Sequence, residues 1–243
     1  MSEIAIAFDV GTLDEALALD ERLGSGPEVV KIGLQLFTAA GPGAVRALRD
    51  RGRRIFLDLK LHDIPNTVRG AASAAAALGA ELLTVHATGG EAMVRAAVAG
   101  AGPGLRVIAV SVLTSLDPRA MPPGFARPFE LEAEQSALLE LAERAGAAGI
   151  VCSAADLPGL LRRRQGRAFF AVTPGIRPAG GESHDQRRVA TIAEAVRLGA
   201  GMIVLGRAIT GAADPRAALE AARRERDEAL RRSRGLDIPG GRG

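Results

Sequence analysis

Apolar residues in this chain recur in two patterns. Short runs rich in Val, Ile and Ala occupy residues 4–9, 28–33, 54–60, 82–87, 106–112, 149–153, 168–173 and 201–205. Longer Ala/Leu/Arg/Glu segments follow them, with apolar positions at helical spacing, over roughly 12–23, 36–51, 66–79, 90–100, 131–147, 155–164, 187–199 and 214–232. A short apolar run bounded by turn residues reads as a buried strand, and a longer periodic segment as an amphipathic helix. The order is strand then helix, eight times over. Each crossover helix returns the chain to the same end of the sheet, so the strands pair in parallel. The pattern predicts an α/β fold, a single-domain (β/α)8 TIM barrel with eight parallel strands, over residues 1–232. Residues 233–243, closing Pro-Gly-Gly-Arg-Gly, read as a flexible tail. No Gly-x-Gly-x-x-Gly follows the first run, which argues against an open dinucleotide-binding sheet.

Two strand-to-helix connections are long, 113–130 and 174–186, and both fall at the end of a barrel where active sites are built. Loops of that length are expected to act as lids. Composition narrows the partners. The chain has seven Phe and neither Trp nor Tyr, so it lacks stacking platforms for single-stranded nucleic acid. Its net charge is only +3, and the densest basic stretches, Arg162–Arg164 and Arg223–Arg234, fall on predicted helices or the tail. They read as solvated faces, and no nucleic-acid partner is expected. The single cysteine, Cys152, sits in an apolar run and reads as a small packing residue. No apolar run approaches the roughly 18 residues of a membrane span, and the first strand begins without a basic leader. A cytoplasmic protein with no membrane partner is expected.

The basic residues carry the strongest chemical signal. Lys and Arg total 31, yet only Lys31 and Lys60 are lysines. Both lie in predicted strands, Val29-Val30-Lys31-Ile32-Gly33 and Ile55-Phe56-Leu57-Asp58-Leu59-Lys60. Arginine is a wide planar fork that keeps its proton, whereas lysine is a compact charge that can give one up. Positions that stayed lysine are therefore candidates for chemistry. Side chains two apart on a strand share a face, so Asp58 and Lys60 point the same way. Asp9 ends the first strand, and Asp63 follows the third, just before Pro65, which can open the next helix. Asp9, Lys31, Asp58, Lys60 and Asp63 thus come from three adjacent strand ends. Flanking carboxylates favour the ammonium form of Lys60. A Schiff-base lysine needs the free amine, so Lys60 reads as a cation that donates a proton or stabilises negative charge.

A phosphate site is also legible. Barrels commonly bind phosphate with the loops after strands seven and eight. Here those strands run into Thr173-Pro174-Gly175-Ile176-Arg177 and Gly206-Arg207-Ala208-Ile209-Thr210. Gly206 admits an anion to backbone N–H groups, and Arg177 and Arg207 supply charge. The three histidines, His62, His86 and His184, lack metal-ligand spacing, so no metal is expected. His62 and His86 read as supporting or packing residues, and Thr114-Ser115 as a possible contact for a polar ring edge.

The segment Asp58-Leu59-Lys60-Leu61-His62-Asp63-Ile64-Pro65-Asn66-Thr67 resembles the Asp-x-Lys-x-x-Asp-Ile-Pro-x-Thr signature of orotidine 5′-phosphate decarboxylases. Phe8-Asp9, Lys31-Ile32-Gly33, Val85-His86-Ala87, Gly89-Gly90, Leu113-Thr114-Ser115, Thr173 to Arg177, Asp185-Gln186 and Gly206 to Thr210 follow in the family's order. The resemblance implies a cofactor-free (β/α)8 enzyme that converts orotidine 5′-monophosphate to uridine 5′-monophosphate, the last step of de novo pyrimidine synthesis. It implies a homodimer with each site at the subunit interface, where Lys31, Asp58, Lys60 and the partner chain's Asp63 form an alternating tetrad. Asp58 would lie by the substrate carboxylate, and Lys60 would stabilise and protonate the carbanion at ring carbon 6. Asp9, Lys31 and Asp63 would hold the ribose hydroxyls, with Ile64 and Thr67 of the partner chain completing that wall. Thr114 would contact the pyrimidine. Pro174, Arg177, Gln186, Gly206 and Arg207 would form the phosphate pocket.

One rival shares fold and motif: the magnesium-dependent 3-keto-L-gulonate 6-phosphate decarboxylases. Lys31, where a metal site wants an acid, and the Ile-Pro-x-Thr extension speak against it. A non-catalytic nucleotide-binding barrel, or a basic scaffold for RNA, is opposed by the intact Asp/Lys set.

Overall fold

In a computed structural model, the chain is described over residues 2–24, 29–121, 124, 128–166, 168–177 and 190–233. The strands are β1 (Glu3–Ala7), β2 (Val29–Gly33), β3 (Arg54–Leu61), β4 (Leu82–His86), β5 (Arg106–Val110), β6 (Gly149–Val151), β7 (Ala171–Thr173), β8 (Ile176–Arg177), β9 (Ala190–Thr191) and β10 (Met202–Leu205). The helices are α1 (Leu13–Leu23), α2 (Leu34–Asp50), α3 (Pro65–Ala77), α4 (Glu91–Ala101), α5 (Leu131–Arg144), α6 (Leu157–Arg163), α7 (Ile192–Arg197), α8 (Arg207–Thr210) and α9 (Pro215–Ser233). Eight strands close a barrel in the order β1-β10-β7-β6-β5-β4-β3-β2, and β8 pairs with β9 outside it. Every pairing around the barrel is parallel.

Alternation along the strands builds two cores. Inward residues, among them Ala5, Val29, Phe56, Leu82, Ile108, Val172, Met202 and Val204, fill the barrel itself. Outward residues such as Ile6, Val30, Ile32, Ile55, Leu57 and Leu83 pack beneath the helices in a second, larger cluster. Fully burying one such side chain contributes roughly 1.5–3 kcal/mol. The turns are locally encoded. Thr12 caps α1, accepting from the Glu15 N–H at 3.1 Å while the Glu15 carboxylate accepts from the Thr12 N–H at 3.1 Å. This capping box fixes the turn that carries Asp9. Pro65 opens α3, where its missing N–H has no cost.

Several boundaries depart from the sequence pattern. The seventh barrel strand is Ala171–Thr173, not 168–173. Phe170 is apolar but sits below the strand, against Gly149 and Gly201, with the Arg106 guanidinium 4.9 Å from its ring centre. Helix α7 starts at Ile192 because β9 precedes it. The short α8 stands ahead of α9. Helix α2 begins directly at Leu34 and kinks at Gly41, whose φ is 54°, ahead of Pro42. The 113–130 connection includes a 3₁₀ turn at Pro118–Ala120 and the buried Met121. Most of the second predicted lid, residues 178–186, and the tail beyond Ser233 lie outside the described residues.

Candidate active site

The C-terminal ends of the barrel strands surround a cleft of about 530 Å³. Its floor is apolar, made by Ala7, Phe56, Val110, Val151, Val172 and Val204. Apolar walls exclude water and strengthen every charge interaction above them. On one side of the cleft stand Asp9, Lys31, Asp58 and Lys60. The Lys31 ammonium lies 3.2 Å from Asp9 Oδ1 and 3.4 Å from Asp58 Oδ2. The Lys60 ammonium lies 2.8 Å from Asp58 Oδ1. The row therefore alternates in sign, Asp9, Lys31, Asp58, Lys60, as the strand ends predict. Lys31 is buried, whereas the Lys60 side chain keeps 31% of its surface open toward the cleft mouth.

Asp58 is the centre of this row. Burial would push its carboxyl up, but the Lys31 and Lys60 ammonium groups, with hydrogen bonds from Lys60 and Thr84, outweigh that and hold it below the ordinary carboxylate value. A fixed, largely desolvated negative charge is thus presented beside a lysine that carries protons.

The backbone beneath is irregular. Phe56 and Leu57 pair with Leu82 and Leu83, but the next pairing is Leu61 with Val85. Strand β3 therefore carries two more residues than β4 over this stretch. A two-residue slip preserves side-chain parity, so Asp58 and Lys60 still face inward. The cost falls on Lys60, whose φ of 48° lies in the left-handed region that disfavours a side chain. Gly33 is also constrained: a Cβ there would stand 3.0 Å from both Asp9 Oδ1 and Lys31 Nζ. A side chain there would make the ion pair give by a few tenths of an ångström.

Farther along the cleft are Pro174, Gly175, Arg177, Gly206 and Arg207. Arg177 is 8% exposed, and its Nε is buried with no hydrogen-bond partner among the described residues. Arg177 also lines the cleft, and a buried donor is costly to leave unpaired. Thr114 and Ser115 also line the cleft.

Asp63, Ile64 and Thr67 behave differently. All three are exposed and none lines this cleft. Asp63 Oδ1 accepts from the Ile64 N–H at 2.6 Å, and Ile64 leaves 67% of its surface open. Within one chain, Asp63 therefore stands apart from the other four charged residues. His62 and His86 have ring centres 5.4 Å apart. Burial, reinforced by His62 and Lys60, lowers the His86 pKa below the ordinary histidine value. Gln186 and His184 lie outside the described residues. The sequence pattern singled out neither Thr84 nor Gln35, and named Gly33 only within the Lys31-Ile32-Gly33 motif; Gly33 and Gln35 both line the cleft.

A closed parallel barrel, with a lysine–aspartate row on one side of its mouth and two arginines past strands seven and eight, defines a (β/α)8 enzyme built around an anionic substrate. The chain belongs to the Orotidine 5'-phosphate decarboxylase / HUMPS family, whose profile matches residues 2–222. It is 53% identical over 219 residues to the orotidine 5'-phosphate decarboxylase of Anaeromyxobacter sp. (strain K), covering 90% of this chain and 95% of that protein. It is 46% identical over 227 residues to that of Moorella thermoacetica, covering 90% of each. The crystal structure of orotidine 5'-phosphate decarboxylase from Lactobacillus acidophilus superposes with a TM-score of 0.82 at 35% identity, covering 93% of this chain and all of that one.

Proposed function

We propose that this chain decarboxylates orotidine 5′-monophosphate to uridine 5′-monophosphate and CO2 without a cofactor, with Lys60 as the proton donor. The observation that carries the reading is the Lys31–Asp58–Lys60 row, in which Asp58 is held ionised next to an accessible lysine. The bond from ring carbon 6 to the carboxylate breaks, CO2 leaves, and the electron pair remains on carbon 6. Lys60 transfers a proton to that carbon and regains one from solvent. Asp58 repels the substrate carboxylate, and that repulsion vanishes as neutral CO2 departs. Fixed charges over an apolar floor stabilise the developing carbanion without reorganising.

The remaining roles follow the cleft. Arg177 and Arg207, with Pro174 and Gly206, take the phosphate; the buried Arg177 Nε, which has no partner among the described residues, supports this. Gln186 joins them on family resemblance alone. Asp9 and Lys31 hold ribose hydroxyls, and Thr114 contacts the pyrimidine. The 63–67 segment, exposed and absent from the lining of its own cleft, supports a homodimer in which Asp63, Ile64 and Thr67 complete the partner's site. A lysine between Asp9 and Asp58, where a divalent ion would need open carboxylates, supports chemistry without a metal. Among the described residues no helix is long and apolar enough to cross a membrane, and we propose a cytoplasmic location.

The test is loss of orotidine 5′-monophosphate absorbance in excess EDTA, with uridine 5′-monophosphate identified as product. Sustained turnover is expected. Turnover that disappears on chelation and returns with magnesium would overturn the metal-free reading.

A further inference from the structure

The hydroxyl of Thr84 bridges the two groups that the proposed mechanism needs most. Thr84 lies in β4, fully buried, on the inward face it shares with Leu82 and His86. Its Oγ1 accepts from the Lys60 backbone N–H at 2.9 Å. The same oxygen donates to Asp58 Oδ1, also at 2.9 Å. The directions are fixed by chemistry: a backbone N–H can only donate, and the ionised Asp58 can only accept. One hydroxyl proton and one lone pair are thus both assigned. The bridge sits at the slip between β3 and β4, where Leu57 pairs with Leu83 but Leu61 pairs with Val85. It also holds the residue whose φ is 48°. Strained backbone at a functional position persists only where its surroundings over-determine it, and here the Thr84 hydroxyl is a specific restraint on both sides of the strained unit.

We infer that Thr84 is a positioning residue: its hydroxyl sets the Lys60 backbone against the Asp58 carboxylate, and so places the proton donor relative to the fixed negative charge. The inference rests on the decarboxylase reading above. Thr84 does not itself line the cleft. It acts through Asp58 and Lys60.

Thr84→Val keeps the shape and removes both hydrogen bonds; Thr84→Ser keeps the hydroxyl. Loss of a hydrogen bond to a charged group corresponds to roughly a 10- to 100-fold change in rate. We expect kcat of Thr84→Val to fall by about that factor, with KM and uridine 5′-monophosphate affinity changed by less than about 3-fold, since the phosphate contacts are untouched. Thr84→Ser should recover kcat to within about 3-fold of the parent. The acid limb of the rate profile should move to higher pH in Thr84→Val. Asp58 loses a donor that favours its ionised form, so it protonates earlier as the pH falls. A purely structural role would leave that limb in place. A crystal structure of Thr84→Val gives a readout independent of turnover, with Lys60 expected to leave its left-handed φ or to move away from Asp58. If the parent enzyme fails to turn over, the decarboxylase reading fails and this geometry alone decides the positioning claim. Parental kcat and acid limb in Thr84→Val, equal losses in the Val and Ser variants, or an unmoved Lys60 would each overturn the inference.

Discussion

At the bottom of the barrel, Asp20 of α1 meets Arg53, just ahead of β3; at the mouth, Asp58 meets Lys31 and Lys60. Both are largely buried ion pairs involving the same stretch of chain, but they are built differently. The Arg53 guanidinium donates to Asp20 Oδ1 at 2.5 Å and to the backbone carbonyls of Asp20 and Gly24. Its side chain is 8% exposed and that of Asp20 6%. A planar fork with its donors directed at fixed acceptors ties the end of α1 to the start of β3 and offers a substrate nothing. At the mouth the cations are compact ammoniums, the carboxylate is shared between them, and one lysine remains accessible. On the proposed mechanism, arginine stands where the charge must stay put and Lys60 where a proton must move. That contrast gives physical content to the rarity of lysine in the sequence.

The two sites should therefore fail in different ways. Asp20→Ala removes one partner of the buried Asp20–Arg53 pair, and removing one partner of a buried pair costs about 3–5 kcal/mol. Denaturant unfolding should register most of that loss, while kcat at 25 °C changes by less than about 2-fold. A large fall in kcat with stability intact would break the comparison. Removing an arginine at the mouth has a smaller free-energy cost, and that cost falls on the reaction rather than on stability. Arg207→Ala should lower kcat/KM by about 100-fold on orotidine 5′-monophosphate, through one lost charge-assisted contact. It should barely affect a substrate lacking phosphate. An equal loss on both substrates would remove Arg207 from the phosphate site.

Much of this was legible in the residues themselves. The eight strand–helix units follow from apolar runs alternating with helical periodicity. The β3 site follows from parity, since Asp58 and Lys60 are two apart. Strand β3 is not regular at these residues, and Asp58 and Lys60 still face inward because the slip against β4 is two residues, which preserves alternation. Thr84 escaped notice because threonine is an ordinary strand residue. Its only signal was polarity on the inward face of an apolar run, Leu82-Leu83-Thr84-Val85. Phe169 and Phe170 extend the predicted seventh strand because hydrophobicity does not separate a strand from the apolar residues before it, of which Phe169 packs in the outer cluster and Phe170 against the barrel interior. Asp63 shares a motif with Lys60 yet is exposed and does not line its own cleft, which local spacing does not reveal.

The most direct test of the central claim is a single exchange between the two kinds of cation, Lys60→Arg, measured for turnover of orotidine 5′-monophosphate and for binding of uridine 5′-monophosphate. Arginine keeps the positive charge next to Asp58 but does not release its proton. The account expects binding within about 10-fold of the parent and a loss of kcat of roughly 10⁴-fold or more, comparable to Lys60→Ala. Turnover in Lys60→Arg within about 10-fold of the parent would show that the charge alone suffices, and would contradict Lys60 as the proton donor.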